Sequence, residues 1–126
     1  MADGLVGKVA IVTGASSGIG EATSEVLAAE GATVVAAARR EERLSDLKGR
    51  VEDNGGRLEV VQADVTDEGQ AHDLMRRAET EFGGVDILGN TAGVMLLSKV
   101  EKGLSDQWRR MFDVNVLGLL YATDAA

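Results

Sequence analysis

The sequence contains no cysteine and no proline, and it has few aromatic residues. Without cysteine, the chain has no disulfide, no zinc–thiolate site and no thiol nucleophile. One Trp, one Tyr and two Phe leave the core to be built from Ala, Val, Leu and Ile. The absence of proline beside 16 glycines indicates turns that depend on flexible backbone rather than on a fixed φ angle.

Positive charge and long apolar runs are also scarce. The formal net charge of the 126-residue chain is −8 at pH 7, which argues against a role on nucleic acid or on an anionic membrane. The apolar runs are far shorter than a membrane span. The N-terminus has neither a basic region nor a long apolar stretch, so we expect no signal peptide and a cytoplasmic protein. The length predicts a single domain over residues 1–126.

Short apolar runs alternate with segments of helical periodicity along the chain. The run Val9–Val12 is typical of a strand buried on both faces, and similar runs follow at Ala32–Ala38, Leu58–Val61 and Val85–Leu88. An amphipathic segment follows each of them. This βαβαβαβα order predicts an α/β, Rossmann-type three-layer fold. Helices would cover both faces of a partial parallel sheet with strand order 3-2-1-4.

Each amphipathic segment has an apolar face that we expect to pack on the sheet. The third segment opens with Asp67 and Gln70 at the spacing of a capping box, and the fourth runs from about Ser105 to the end. The expected inner faces are Ile19, Ala22, Val26 and Leu27 in the first; Leu44, Leu47 and Val51 in the second; Ala71, Leu74, Met75, Ala78 and Phe82 in the third; and Trp108, Met111, Phe112, Asn115, Val116, Leu119 and Leu120 in the fourth.

A glycine-rich loop, Thr13–Gly20, joins the first predicted strand to the first helix. Such a turn leaves the first N–H groups of the helix unpaired, and together with the helix dipole they form a site for a pyrophosphate. We expect Gly14 to allow the tight turn and Gly18 to remove a Cβ where phosphate approaches. Gly20 would permit close packing of helix on strand. The alternative is a glycine-rich turn that holds no ligand.

The residues at the end of the second strand predict which dinucleotide binds. In this fold, a carboxylate about 20 residues after the glycines binds the 2′-hydroxyl of the adenosine ribose. Here Ala38 stands at that place, and Arg39 and Arg40 follow it. Because a guanidinium binds phosphate through paired donors, the sequence predicts NADP rather than NAD, with these arginines at the 2′-phosphate. The alternative is that both arginines pair with Glu41 and Glu42 at the helix start.

Four separated motifs lie along the chain: the T-G-x-x-x-G-I-G of Thr13, Gly14, Gly18, Ile19 and Gly20; the pair Asp64 and Val65; the run Asn90, Thr91, Ala92 and Gly93; and Asn115 in the last helix. They resemble the motifs of the classical short-chain dehydrogenases/reductases, in the same order and over about residues 5–126. Two residues depart from the family's pattern: Thr91 stands where the family has a second asparagine, and Gly89 stands where it has a branched apolar residue.

The resemblance implies an oxidoreductase that transfers hydride between a nicotinamide and a carbonyl or alcohol substrate. It implies NADP(H) bound along the glycine loop, with Asp64 and Val65 at the adenine. Asp64 follows a strand and would accept a hydrogen bond from the adenine amino group; the alternative is an ordinary turn carboxylate. The residues Asn90, Ala92 and Gly93 end the fourth strand at the edge where open α/β sheets bind ligands.

Asn115 is an amide on an apolar stripe, and a buried amide needs hydrogen-bond partners. It is therefore either functional or locked into backbone hydrogen bonds. In the family this asparagine holds a water in a proton relay, so the resemblance makes Asn115 a candidate catalytic residue. We expect no metal site.

The resemblance also implies a catalytic serine and a Tyr-x-x-x-Lys pair C-terminal to the position of Asn115. The only tyrosine, Tyr121, is followed four residues later by Ala125 instead of lysine. We therefore expect the NADP-binding half of such an enzyme, inactive as this chain alone. Ser16 and Ser17 are interpreted as loop residues that donate to phosphate, and His72 as a solvated helix residue.

A half of this fold leaves a strand edge and an apolar helix flank open, so we expect a homo-oligomer or contact with the missing half. The candidate contacts are Trp108, Met111, Leu119 and Leu120. A second hypothesis is a stand-alone or designed half-Rossmann module that binds nucleotide and self-associates. A third is a composite active site made by two copies, although duplication supplies no Tyr-x-x-x-Lys.

Overall fold

The computed structural model describes residues 4–16, 18–93 and 102–126. Strands and helices alternate along the described chain, and the last three helical segments follow one another without a break. In chain order the elements are β1 (Val9–Thr13), α1 (Gly18–Ala29), β2 (Thr33–Ala38), α2 (Glu41–Asp53), β3 (Arg57–Gln62), α3 (Glu68–Phe82), β4 (Ile87–Asn90), α4 (Ser105–Phe112), a π-helical segment (Asp113–Gly118) and α5 (Leu119–Ala125).

The four strands form one parallel sheet in the order β3-β2-β1-β4, which confirms the predicted fold class. Thr13 at the end of β1 pairs in register with Ala37 of β2 and with Asn90 of β4. Ala38 at the end of β2 pairs with Gln62 of β3. The carboxyl ends of all four strands therefore lie along one edge of the sheet.

The strand β4 begins two residues later than the sequence predicts. Asp86 precedes it and binds the start of β1 twice. Its carboxylate accepts from the backbone N–H of Val9 at 2.9 Å, and its own N–H donates to the carbonyl of Val9 at 2.9 Å. These bonds fix where pairing with β1 starts, so β4 extends to Asn90 at the carboxyl edge. The sequence prediction relied on apolar residues alone and therefore began this strand at Val85.

Alternate residues of the central strands pack on opposite faces of the sheet. Val12 lies in one core layer with Ala28 of α1 and Leu44 of α2, whereas Ile11 lies in the other with Leu74 of α3. This three-layer arrangement explains why β1 is buried on both sides. The predicted inner faces of the second and third helices are confirmed: Leu44, Leu47, Val51, Ala71, Leu74, Met75 and Ala78 are buried, and Phe82 packs against them in part.

The predicted inner face of α1 is wrong except at Leu27, which is partly buried and packs against the core. Ile19 and Val26 are 77% and 61% exposed, and the buried residues of the helix are Gly20, Ser24 and Ala28. A Cβ at Gly20 would collide with the carbonyl of Gly14, so the helix lies too close to the sheet for large side chains. The buried hydroxyl of Ser24 donates to the carbonyl of Gly20 at 2.8 Å and is therefore satisfied within the helix.

The predicted inner face of the last helix is also wrong. Phe112 and Leu120 are 66% and 52% exposed, whereas Val114, Gly118 and Ala122 are buried. A Cβ at Gly118 would lie 2.7 Å from Cγ2 of Val65, so a stripe of small residues sets this contact. Asn115 is one position off that stripe and is exposed, which corrects the expectation of a buried amide. No helix among the described residues is long and apolar enough to cross a bilayer.

Candidate functional site

A cleft of about 230 Å³ opens at the carboxyl edge of the sheet, above the ends of β1, β2, β3 and β4. It brings together half of the residues that the four sequence motifs contribute, six of twelve, from three of those motifs. The lining residues are Gly14, Ser16, Ala38, Arg39, Arg40, Arg43, Ala63, Asp64, Val65, Thr91, Ala92, Gly93 and Val114.

The glycine loop forms one wall of the cleft and needs glycine at three places. Gly14 has φ +66°, and a Cβ there would lie 2.6 Å from the Cα of Ala92. Gly18 has φ +55°, and a Cβ there would meet nothing within 4 Å, which leaves open space at the start of α1. Gly20 packs against the carbonyl of Gly14. The loop is thus closed toward the protein and open toward solvent at the N-terminus of a helix, as anion-binding loops are.

Hydrogen bonds at the sheet edge hold the loop in place. The hydroxyl of Thr91 donates to the carbonyl of Thr13, and the buried hydroxyl of Thr13 donates to the carbonyl of Gly89 at 3.5 Å. The N–H of Ala15 donates to the carbonyl of Ala37 at 3.2 Å. Thr91, which departs from the family motif, therefore joins β1 to the segment after β4.

The turn between β2 and α2 and the first turn of α2 contribute positively charged side chains to the cleft. Arg39, Arg40 and Arg43 line the cleft, and none of their guanidinium groups makes an ion pair or hydrogen bond to a described residue. The alternative in which the first two pair with Glu41 and Glu42 is therefore not the arrangement in this structure. Unpaired guanidinium groups are ready to bind an anion through charge-assisted hydrogen bonds.

Asp64 lines the same cleft, at the start of the turn after β3. Its Oδ1 accepts from the N–H of Thr66 at 3.0 Å and from the Thr66 hydroxyl at 2.7 Å. Burial acts to raise the pKa of this carboxyl, but those two hydrogen bonds and the charges of Arg39 and Arg110 outweigh it and hold the pKa below its ordinary value. The group is therefore a carboxylate at neutral pH, able to accept a further hydrogen bond.

Two glutamines that sequence reasoning did not single out as site residues fix the backbone around the cleft. The side chain of Gln62 donates to the carbonyl of Arg39 at 3.1 Å, which ties the turn after β2 to the end of β3. The side chain of Gln70 accepts from the N–H of Asp64 at 2.9 Å. Asp67 caps α3 by accepting from the N–H of Gln70 at 3.1 Å, so one half of the predicted capping box forms. The reciprocal half does not, because the N–H of Asp67 donates to the carbonyl of Asp64 and the Gln70 amide donates to the Asp67 carboxylate at 3.3 Å.

Other predicted site residues do not line the cleft. Asn90 donates to the hydroxyl of Thr123 at 3.1 Å and so joins β4 to α5. Asn115 lies beside the cleft, where its Oδ1 would be 3.3 Å from a Cβ at Gly93. Ile19 is exposed to solvent, and Ser17 lies outside the described residues.

The cleft also contains residues that sequence reasoning missed, namely Arg43, Ala63 and Val114. The signal for Arg43 was its place in the first turn of α2, close in sequence to Arg39 and Arg40. Val114 adjoins Asn115 in the sequence, but the predicted helix face placed it outward. Within the described chain, no group of three or more His, Asp or Glu side chains is arranged to hold a metal ion.

A family model described as short chain dehydrogenase matches residues 8–126. The chain belongs to the short-chain dehydrogenase family. Membership implies a nicotinamide dinucleotide cofactor. The oxidoreductase relatives include uncharacterized oxidoreductases of Staphylococcus aureus (strain USA300), 44% identical over 97% of this chain, and of Staphylococcus saprophyticus, 43% identical over 94%. The chain spans about half the length of these relatives, 52% and 51%, and it corresponds to their N-terminal half.

Solved structures of the same family share the fold. A short-chain type dehydrogenase/reductase from Mycobacterium marinum superposes with a TM-score of 0.94 at 32% identity, over 97% of this chain and 49% of that one. A short-chain dehydrogenase/reductase variant from Serratia marcescens gives a TM-score of 0.92 at 37% identity, over 98% of this chain and 51% of that one. This short-chain dehydrogenase chain therefore has the N-terminal sheet of its family.

The lowered pKa of Asp64 predicts the effect of removing the Thr66 hydroxyl. Because the folded-state pKa is lowered, the carboxylate stabilises the fold above its unfolded-state pKa, and this contribution is lost as the pH falls through the folded-state value. In Thr66→Val, we expect the pKa of Asp64 to rise toward its unfolded-state value, so the carboxylate contributes less stability at neutral pH and that contribution is completely lost at a higher pH than in wild type.

The pKa of Asp64 is measured by NMR titration of its carboxyl carbon. Thr123→Val is the control, because this hydroxyl lies on α5 and bonds Asn90 and the carbonyl of Leu119 rather than Asp64. The same pKa in wild type and Thr66→Val would contradict the role given to the hydroxyl.

Proposed function

We propose that residues 1–126 form a single NADP(H)-binding domain, the cofactor-binding portion of a short-chain dehydrogenase/reductase that acts on a carbonyl or alcohol substrate. The observation that carries the preference for NADP is the cleft itself. It has Ala38 where a ribose-binding carboxylate would stand, and three unpaired guanidinium groups beside it. A carboxylate there would repel a 2′-phosphate, whereas guanidinium groups bind it.

The residues present fit such a dinucleotide. The open space at Gly18 and the free N–H groups at the start of α1 suit the pyrophosphate, with Ser16 as an adjacent hydroxyl donor. The carboxylate of Asp64 suits the adenine amino group, and Val65 offers an apolar contact for the ring. Arg39 and Arg40 would hold the 2′-phosphate.

The nicotinamide end would lie toward the segment after β4. When bound, NADP(H) supplies the hydride exchanged with the substrate. In this chain Ala92 and Gly93 line that end of the cleft. We propose that Asn115, which lies beside Gly93, holds a water that carries protons. The role proposed for Asn90 is to hold the end of β4 against α5.

One prediction of the proposed function concerns cofactor choice. In a fluorescence titration of this chain, we expect NADPH to bind more tightly than NADH. Arg39→Ala should weaken NADPH by about tenfold or more, since hydrogen bonds to charged groups contribute about 1.5–3 kcal/mol, and should leave NADH nearly unchanged. Arg76→Ala is the control, because this arginine pairs with Asp73 on α3, outside the cleft. Equal affinities in wild type, or no binding at all, would contradict the proposal.

Another prediction of the proposed function concerns catalysis. The chain contains no Tyr-x-x-x-Lys, and positioned proton transfer contributes about 10²–10⁴ in rate. We therefore propose that it does not reduce carbonyl compounds by itself. The measurement is NADPH oxidation at 340 nm with a panel of aldehydes and ketones, using a complete short-chain reductase as the positive control. Turnover that depends on the protein concentration would show that the chain has catalytic groups of its own.

We also propose that the chain self-associates through the outer face of its last helix. The described part leaves large apolar side chains of this helix exposed, and contiguous patches of this kind are typical of interaction surfaces. Sedimentation velocity should show a dimer or larger species that Leu120→Glu shifts toward monomer, and Ile19→Glu, which alters an exposed residue of α1, should not. A wild-type monomer at all concentrations would overturn this proposal. The exposed apolar residues of this helix are Trp108, Phe112, Val116, Leu117, Leu119 and Leu120, which include the predicted contacts Trp108, Leu119 and Leu120.

A further inference from the structure

The arginines of this chain fall into two groups that differ in their partners. Five of the nine make an ion pair or lie over an aromatic ring, and four do neither among the described residues. Three of those four line the cleft, and the charge of the fourth, Arg110, acts on Asp64 in the same cleft. The partnered arginines are Arg50 with Glu21 and Glu25, Arg57 over the ring of Phe82, Arg76 with Asp73, Arg77 with Glu81 and Arg109 with Asp106.

Arg43 has acidic neighbours and still makes no ion pair. It lies in the first turn of α2 beside Glu41 and Glu42, in a chain with 21 Asp and Glu against 13 Lys and Arg. The first turn of a helix is also a place where a cation is electrostatically unfavourable. The local rules of helix stability therefore do not account for an arginine at this position. Departures of this kind are expected at functional sites.

The position of Arg43 is suited to an anion held in the cleft. It follows Arg39 by four residues and lines the cleft with it, and Arg39 itself is fixed by the hydrogen bond from Gln62 to its carbonyl. Ser16 of the glycine loop lines the same space. A phosphate placed there would have donors on the β2–α2 turn, on α2 and on the glycine loop.

We propose that Arg43 is a further specificity-determining residue, which binds the 2′-phosphate of NADP(H) from the first turn of α2 together with Arg39. This inference rests on the proposed preference for NADP and adds a residue to that site. According to this inference, Arg43 contacts the 2′-phosphate, and its removal lowers the affinity for NADP(H) but not for NAD(H). Its removal should not destabilise the fold, since the side chain is exposed and has no partner among the described residues.

The experiment compares wild type with Arg43→Gln, Arg43→Lys and the control Arg77→Gln. The control removes the same charge from α3, at a residue that pairs with Glu81 outside the cleft. Dissociation constants are measured by fluorescence or calorimetry for NADPH and NADH. They are also measured for 2′,5′-ADP and 5′-AMP, which differ only in the 2′-phosphate. Thermal unfolding without ligand reports the stability of each variant.

We expect Arg43→Gln to weaken NADPH and 2′,5′-ADP by about tenfold, while NADH and 5′-AMP change less than about twofold. Arg43→Lys should give an intermediate loss, because a lysine keeps the charge but not the paired donors. The midpoint of thermal unfolding of Arg43→Gln should equal or exceed that of wild type. Arg77→Gln should change none of the four affinities.

The outcomes separate this inference from the proposed function. If wild type prefers NADPH and Arg39→Ala abolishes the preference, but Arg43→Gln binds like wild type, then the inference about Arg43 is wrong and the NADP site stands. If wild type binds NADPH and NADH equally, the proposed preference for NADP and the inference about Arg43 are both wrong. Equal weakening of all four ligands, or a lowered unfolding midpoint, would show a structural role for Arg43 and would also overturn the inference.

Discussion

The close approach of β1 to the segment after β4 is the contact on which the rest of the structure depends. A Cβ at Gly14 would lie 2.6 Å from the Cα of Ala92, so the two backbones meet without a side chain between them. Thr91 then donates to the carbonyl of Thr13 across the same junction. Because Gly20 packs against the carbonyl of Gly14, the position of α1 follows from this contact. The floor of the cleft and the start of α1 are thus set together.

The second constraint is electrostatic. The chain has a net charge of −8, yet the cleft has three arginines without carboxylate partners. Outside the cleft, four arginines of the described chain pair with acidic side chains, as Arg50 does with Glu21 and Glu25. Local concentration of unpaired positive charge in an acidic protein attracts anions to one place without making the whole surface attractive to them. Asp64 adds a carboxylate whose pKa is lowered by its hydrogen bonds to Thr66 and by the charges of Arg39 and Arg110.

Much of the fold was predictable because burial on two faces leaves a strong pattern. The β-branched run of β1 and the apolar periodicity of α2 and α3 identify elements that bury large side chains, and these agree with the structure. The helix α1 and the last helix were assigned the wrong faces for a common reason. Both pack through small residues, Gly20 and Ala28 in one and Gly118 and Ala122 in the other, whereas periodicity analysis gives weight to large apolar side chains.

The sequence by itself determined the order of elements, the parallel sheet and the place of the glycine loop, since these follow from local hydrophobic period and backbone freedom. It also named most residues of the cleft, because parallel strands bring their carboxyl ends to one edge. Only the tertiary structure decided which side chains share the cleft and which are already engaged. Arg43 enters the cleft and Asn90 turns to Thr123 because helix orientation and hydrogen bonding across elements fix side-chain direction, which residue spacing does not encode.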